Sequence, residues 1–442
     1  MALDLSTARK DLSADSLFQL LRSRFASLPD PRAGEVEIPL GDALMSAFAM
    51  FSLKDPSLLA FDQRRRNPKD NFRTIYGINH VPCDTQMRGI LDPLDPADLR
   101  LVFRDVFRRL QRGKVLERFV YLDGHYLLSL DGTTYFSSTK IHCPSCLVKH
   151  HRGGGLTYSH QLLGATLVHP DLKEVLPLAP EPIVQQDGQT KNDCERNATR
   201  RWLKQFRQEH PRLPVIVVED GLSANAPHLR DLRAARAHFI IGVKPGDHGF
   251  LFAHWRARDE AGQLPTLTVV DPATGVLHHF RFGNDAPLNE SNSDERVNVL
   301  EYWEVHPDHT VQSFSWITDF LLTPENVWAI MRGGRARWKI ENETFNTLKN
   351  QGYHLEHNYG HGEQNLSVVL ALVMMLAFLV DQAQQMCCPL FQAAWRKLGT
   401  KRQLWEEIRH HFRLLVFDSM AELLRALVRG VAPQRPVFQD SS

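Results

Sequence analysis

The stretch LPVIVVEDGLSANAPHLRDLRAARAHFIIGVKPGDH, residues 213–248, holds two short apolar runs on either side of a segment with helical spacing. LPVIVVED and HFIIGVKPGDH have the length and β-branched content of strands, and APHLRDLRAARA has the periodicity of a helix. Strand, helix, strand implies an α/β fold, with helices packed on the faces of a sheet. Asp220 stands where the first strand ends, and that edge of an α/β sheet is where ligands bind.

Upstream, RFVYLDGHYLLSLDGTTYFSS (118–138), QLLGATLVHP and VLPLAPEPIV read as further strands, and DCERNATRRWLKQFRQEH as a helix opened by Asp193. Asp131 follows the strand YLLSL and is expected to open a tight Asp-Gly turn. The expected fold is a mixed sheet flanked by helices, divided along the chain as follows. Residues 1–118 form a helical region with a DNA-binding role. Residues 119–249 are the first part of a catalytic core, 250–322 a β-rich insertion, 323–385 the second part of the core, and 386–442 a C-terminal helical region.

Composition narrows the function. The 442 residues carry 52 basic against 51 acidic side chains, so net charge selects no partner. From Asp62 to Arg118, however, 13 Lys and Arg face 8 Asp and Glu, with Arg64, Arg65 and Arg66 the densest run, as expected of a phosphate-contacting surface. Six cysteines form no disulfide framework, and the N-terminus lacks the apolar core of a leader, so an intracellular, reducing setting is expected. The apolar stretch Leu366 to Val380 is short for a membrane span and reads as a core helix.

A third acid lies in RWKIENETFNTLKNQGYHLEHNYGHG (337–362). At about 100° per residue, Glu341 shares a helix face with Trp338, Phe345 and Leu348, and Arg337 lies one turn before it. Glu343 projects away from that face. A carboxylate on the packing face is costly unless paired or metal-bound. Convergence of Asp131, Asp220 and Glu341 would supply hard oxygen ligands for Mg²⁺. Two such ions about 4 Å apart can clamp the attacking and leaving oxygens of a phosphoryl displacement.

With these stretches, "LLSLDGTTYFSS", "VIVVEDGLSANAP" and "RWKIENETFNTLKNQGYHLEHNYGHG", the chain resembles the DDE transposases of bacterial insertion sequences whose third acid lies in a Y…R…E…K helix. The resemblance covers roughly residues 80 to 380. It implies a ribonuclease-H-like core with a β-rich insertion before the third acid. Asp131, Asp220 and Glu341 would be the catalytic, metal-binding acids, Arg337 a phosphate contact and Lys349 the nearest match to the helix lysine. Gly334 stands where the family has tyrosine, and Lys349 lies one residue beyond the usual spacing. Two Mg²⁺ or Mn²⁺ ions, strand cleavage at transposon ends, strand transfer to target DNA, binding of terminal inverted repeats and a homodimer on DNA follow from the resemblance. So does a cytoplasmic, nucleoid-associated location in a bacterium, with no membrane contact.

Other residues complete the expectations. Lys244 and His248 follow a strand near the expected active edge, and His361, with His357 and Asn358, lies near Glu341; Lys244 and His361 are taken as DNA contacts. Trp303 and Trp316 are candidates for stacking on a base. KIHCPSCLVKHHRGGG offers Cys143, Cys146, His150 and His151 as a structural Zn²⁺ set, with Cys194 a remote alternative ligand. Competing readings are another two-metal nuclease on the same core, and a non-catalytic, domesticated DNA-binding protein with a zinc knuckle.

Overall fold

The apolar runs form one eleven-stranded mixed sheet in the computed structural model, which describes residues 10–66, 70–185 and 193–430. The leader reading and the outer ends of the first and last regions fall on residues outside that range. The strands are β1 (Tyr126–Ser138), β2 (Leu147–His150), β3 (Leu156–Val168), β4 (Leu176–Pro177), β5 (Glu181–Ile183), β6 (Val215–Glu219), β7 (His238–Gly242), β8 (Thr266–Val270), β9 (Leu277–Asn289), β10 (Asn292–Val305) and β11 (Val311–Thr318). Their order is β2-β3-β1-β6-β7-β11-β10-β9-β8, with β4 and β5 pairing on β3.

β1 runs parallel to β6 and β6 to β7, whereas β3 is antiparallel to β1. An antiparallel partner on one side of β1 and two parallel strands on the other give the ribonuclease-H-like core. Every residue of β6 is buried, as its unbroken apolar run requires for a strand covered on both faces.

The Asp131-Gly132 turn does not form. β1 continues through both residues to Ser138, because β3 pairs with it along almost its whole length, and that pairing overrides the local turn signal. The β-rich insertion is not a separate layer. β11 pairs antiparallel with β7, so β8–β11 extend the core sheet. A helix absent from the sequence reading, Gly249–Glu260, opens this segment and places Trp255 against it, where the indole donates to Glu301 at 2.6 Å.

Among the described residues, six α-helices precede the sheet: α1 (Ala14–Phe25), α2 (Leu40–Ser52), α3 (Leu58–Arg65), α4 (Asp70–Tyr76), α5 (Asp84–Leu91) and α6 (Arg100–Arg112). α7 (Glu195–Glu209), α8 (Ala226–Ala234) and α9 (Gly249–Glu260) alternate with strands, and α10 (Val327–Arg335), α11 (Asn346–Asn350), α12 (Leu366–Cys387), α13 (Pro389–Leu398), α14 (Lys401–Leu414) and α15 (Met420–Arg429) complete the chain.

All 22 residues of α12 are buried. This helix is long and apolar enough to cross a membrane by length and composition, yet 94% of its most apolar window lies inside the protein. Helices from both ends of the chain share the core around it. Asn71 of α4 donates to the Phe412 carbonyl at 2.7 Å, and the Phe72 and Phe412 rings meet at 5.1 Å. Lys54, just after α2, pairs with Asp381 of α12 at 2.6 Å with both side chains 1% exposed.

Candidate active site

Asp131 and Asp220 occupy the same level of adjacent parallel strands. The β1–β6 register ends at Ser129 opposite Val218, and each acid lies two residues beyond that pair. Neighbouring strands are roughly 5 Å apart, so the two acids emerge side by side. Asp220 is exposed and caps the short turn that follows, accepting from the Leu222 amide at 3.0 Å. Asp131 is still held in the sheet, opposite Gly164 of β3.

Glu341 approaches through a break in its helix. α10 stops at Arg335, a turn follows, and Ile340–Phe345 form a π-helical turn before α11. The uniform helical wheel therefore fails here: Trp338 is 51% exposed instead of packing beside Glu341, while Ile340, Phe345 and Leu348 are buried. Gly164 admits this segment. A Cβ at that position would lie 2.7 Å from the Phe345 ring and 3.4 Å from Ile340. Ser129 of β1 donates to the Arg337 carbonyl at 3.2 Å, fixing the turn to the strand that carries Asp131.

Arg337 bridges the first and third acids. Its Nη1 lies 2.7 Å from Glu341 Oε1 and 3.6 Å from Asp131 Oδ2. The Asp131 carboxyl is nevertheless pushed up to about 7, chiefly by burial; Arg337 pulls it down, and the charges of Glu341 and Glu195 push it up. Glu195, at the start of α7, is an acid the sequence reading missed. The residue as a whole is exposed, but its carboxyl covers Gly132, where a Cβ would meet Oε1 at 2.1 Å. Desolvation and the charges of Asp220 and Glu219 raise its pKa. Asp131, Glu341, Glu195, Asp220 and Glu219 thus form a chain of five interacting carboxylates, with the Arg337 guanidinium between the first two. Such a concentration of oxygen donors suits a hard divalent cation.

The other expected residues separate. Lys244 is exposed on the loop after β7, and His248 of that loop reaches the Asp220 turn: a Cβ on Gly221 would meet the His248 ring at 3.5 Å. Lys349 pairs with Glu356 at 2.8 Å. Glu343 faces away from Arg337, into a cavity of about 1140 Å³ lined also by Lys54, Arg64, Lys401, Arg402 and Arg409. Trp316 is buried, and its indole fills the space beside Gly334, where a Cβ would lie 2.3 Å from Nε1. It therefore offers no face to a base, and it occupies the room a larger residue at 334 would need. Trp303 is half-buried under the Arg281 guanidinium at 5.0 Å.

The expected zinc set is rearranged. Cys143 and Cys146 meet His160 and His361, and the four ligand atoms all lie within 4.8 Å of one another. His150 and His151 are exposed at the far end of β2, and His151 bonds Thr157 at 2.7 Å. An extended strand advances about 3.3 Å per residue, which carries His150 roughly 13 Å from Cys146. Cys194 is exposed at the start of α7. His361, expected to contact DNA, is buried in this cluster and faces the Phe136 ring at 4.5 Å. A signal for His160 lies in the hairpin: folding β2 back on β3 about the glycines at 153–155 pairs Leu147 with Ser159 and brings His160 beside Cys146.

Residues 175–379, a little under half of the chain, match the family model described as the transposase DDE domain, a span that holds Asp220 and Glu341 and begins after Asp131. Among solved structures, the chain is similar to a piggyBac transposase synaptic complex with hairpin DNA, at 11% identity and a TM-score of 0.41, over 97% of this chain and 84% of that one. No curated protein matches the chain by sequence.

Proposed function

We propose that the chain is a DDE transposase that acts on DNA with divalent metal ions, cuts the ends of a bacterial insertion sequence and transfers them to target DNA, with Asp131, Asp220 and Glu341 as its catalytic acids. The observation that carries this is the shared level of Asp131 and Asp220 on paired parallel strands, with Glu341 joined to Asp131 through Arg337. Burial above all, with the charges of Glu341 and Glu195 against the pull of Arg337, raises the Asp131 pKa, and a divalent cation beside it would offset that cost.

Two Mg²⁺ or Mn²⁺ ions held by these acids would activate water and then a DNA 3′-hydroxyl, and offset charge on the phosphate in flight. The protein's own groups do the rest. Asp131 and Asp220 are held by rigid strands, so their oxygens need little reorganisation. Arg337 partly offsets the charges of Asp131 and Glu341 and is placed to turn to a DNA phosphate. Lys244 and Lys349 lie apart from the acids and would hold DNA backbone at a distance from the cut. The cavity lined by Lys54, Arg64, Lys401, Arg402 and Arg409 continues a basic path beyond them. Terminal inverted repeats on a homodimer, in the bacterial cytoplasm and nucleoid, complete the reading.

The test is cleavage of a DNA end carrying the element's inverted repeat. Mg²⁺ or Mn²⁺ should be required, and Asp131→Asn, Asp220→Asn and Glu341→Gln should each abolish cleavage while DNA binding survives. Wild-type cleavage by the Glu341 variant would remove that residue from the mechanism.

A further inference from the structure

We infer that Cys143, Cys146, His160 and His361 form a closed tetrahedral zinc centre that staples the segment leaving the Glu341 helix to the β1–β3 pair bearing Asp131. The distances carry it. A tetrahedral ion with Zn–S near 2.3 Å and Zn–N near 2.05 Å sets sulfur atoms about 3.8 Å apart and sulfur and nitrogen about 3.5 Å apart. Here the two Sγ atoms are 3.9 Å apart, His160 Nε2 is 3.4 Å from each sulfur, and His361 Nε2 is 3.5 Å from Cys146 Sγ. The sulfur separation is far beyond the roughly 2.05 Å of a disulfide.

The chemistry agrees. Zn²⁺ would bind two thiolates and two neutral imidazoles, releasing the two thiol protons, so the centre carries no net charge where Cys146, His160 and His361 are buried. Burying two imidazoles is costly without strong partners, and each Nε2 here faces only cysteine sulfur. A metal bond at each Nε2 would supply a strong partner there.

The connectivity gives the centre its role. Cys143 and Cys146 precede β2, His160 lies on β3, and His361 comes from the loop between α11 and α12. Metal at this point ties the loop leaving the Glu341 segment to the sheet four residues along β3 from Gly164, roughly 13 Å away. None of the four ligands belongs to the acid site, so metal content can be judged whether or not that site works as proposed.

Metal analysis of the purified full chain should find stoichiometric zinc that Mg²⁺ dialysis does not displace. Cobalt substituted for zinc should give the intense visible bands of a tetrahedral thiolate site. Cys143→Ser and His361→Ala should reduce zinc to background. His361→Cys, which restores a ligand, should keep it and shift the cobalt spectrum, and the double variant His150→Ala/His151→Ala should keep it unchanged. The proposal fails if the wild-type chain, even after incubation with Zn²⁺, holds no zinc or carries a Cys143–Cys146 disulfide. It also fails if His361→Ala retains full zinc. Should Cys143→Ser and His361→Ala fail to fold, loss of zinc from the folded wild-type chain by chelation, with a fall in melting temperature that Zn²⁺ alone reverses, decides in its favour. A chelated chain that melts unchanged decides against it.

Discussion

Two clusters of side chains able to ligate a metal, one reaching β1 through Asp131 and the other β3 through His160, are built on opposite terms. The acid cluster around Asp131 is open: the side chains of Asp131 and Glu341 are 22% and 35% exposed, and Arg337 occupies the space between them. The Cys/His cluster is closed, with Cys146, His160 and His361 each under a tenth exposed and at ligand distances already. A site that must admit a phosphate and release a product cannot complete its coordination with protein atoms, whereas a site that only holds the fold should. Hard oxygen donors on rigid strands and soft sulfur donors on loops follow the same division.

The largest effects should separate the two clusters by readout. Asp131→Asn or Glu341→Gln should lower end cleavage to background while zinc content and DNA binding stay near wild type. His361→Ala should do the reverse first, losing zinc and several degrees of melting temperature, with cleavage falling as a consequence of a displaced Glu341. A chelator should abolish both properties. Adding back Mg²⁺ alone should then restore cleavage poorly and the melting temperature not at all, whereas Zn²⁺ followed by Mg²⁺ should restore both. If Mg²⁺ alone returned full stability, the distinction between an open and a closed site would collapse.

How far this was legible in the sequence depends on the range of each signal. The run VIVVE and the acid after it are local, and β6 ends one residue before Asp220. Asp131 was placed beside the right strand for the wrong reason, because Asp-Gly is a turn signal that the distant partner β3 overrules. The break before Glu341 was not legible. Nothing in RWKIENETF announces a π-helical turn, and the uniform wheel put the exposed Trp338 on the packing face. Cys143 and Cys146 were visible as a knuckle, but their imidazole partners lie 17 residues from Cys143 and 215 from Cys146, and only the hairpin register and the loop after α11 bring them together.

A middle-sized effect should come from the strand that joins the clusters. Gly164 faces the Phe345 ring so closely that Gly164→Ala forces an overlap on a buried aromatic. Overpacking of this kind costs about 1–3 kcal/mol, or roughly 1–3 °C in a chain of this size. The displaced segment carries Glu341, so cleavage should fall further than stability, while zinc content stays unchanged because the four ligands need not move. Trimming the ring with Phe345→Leu in the same chain should recover part of both losses. An Ala variant with wild-type cleavage would show that the segment does not need this close approach.

The smallest effect is the stability cost of keeping the acid site open without metal, and its sign is fixed by the Asp131 pKa. Burial first, then the Glu341 and Glu195 charges, lift this carboxyl from 3.8 to about 7 against the pull of Arg337. Below 3.8 the group is protonated folded or unfolded and contributes nothing. Between 3.8 and 7 the folded chain keeps a proton that the unfolded chain releases, so stability falls as pH rises, and above 7 the full penalty is present. Asp131→Asn has no such titration. In metal-free buffer the melting temperature of Asp131→Asn should exceed that of the wild type by a few degrees at pH 8, and the two should converge towards pH 4. Adding Mg²⁺ at pH 8 should narrow the gap by stabilising the ionised wild type alone. A gap at pH 8 that Mg²⁺ leaves unchanged would mean that Asp131 is an ordinary buried carboxyl rather than a metal ligand.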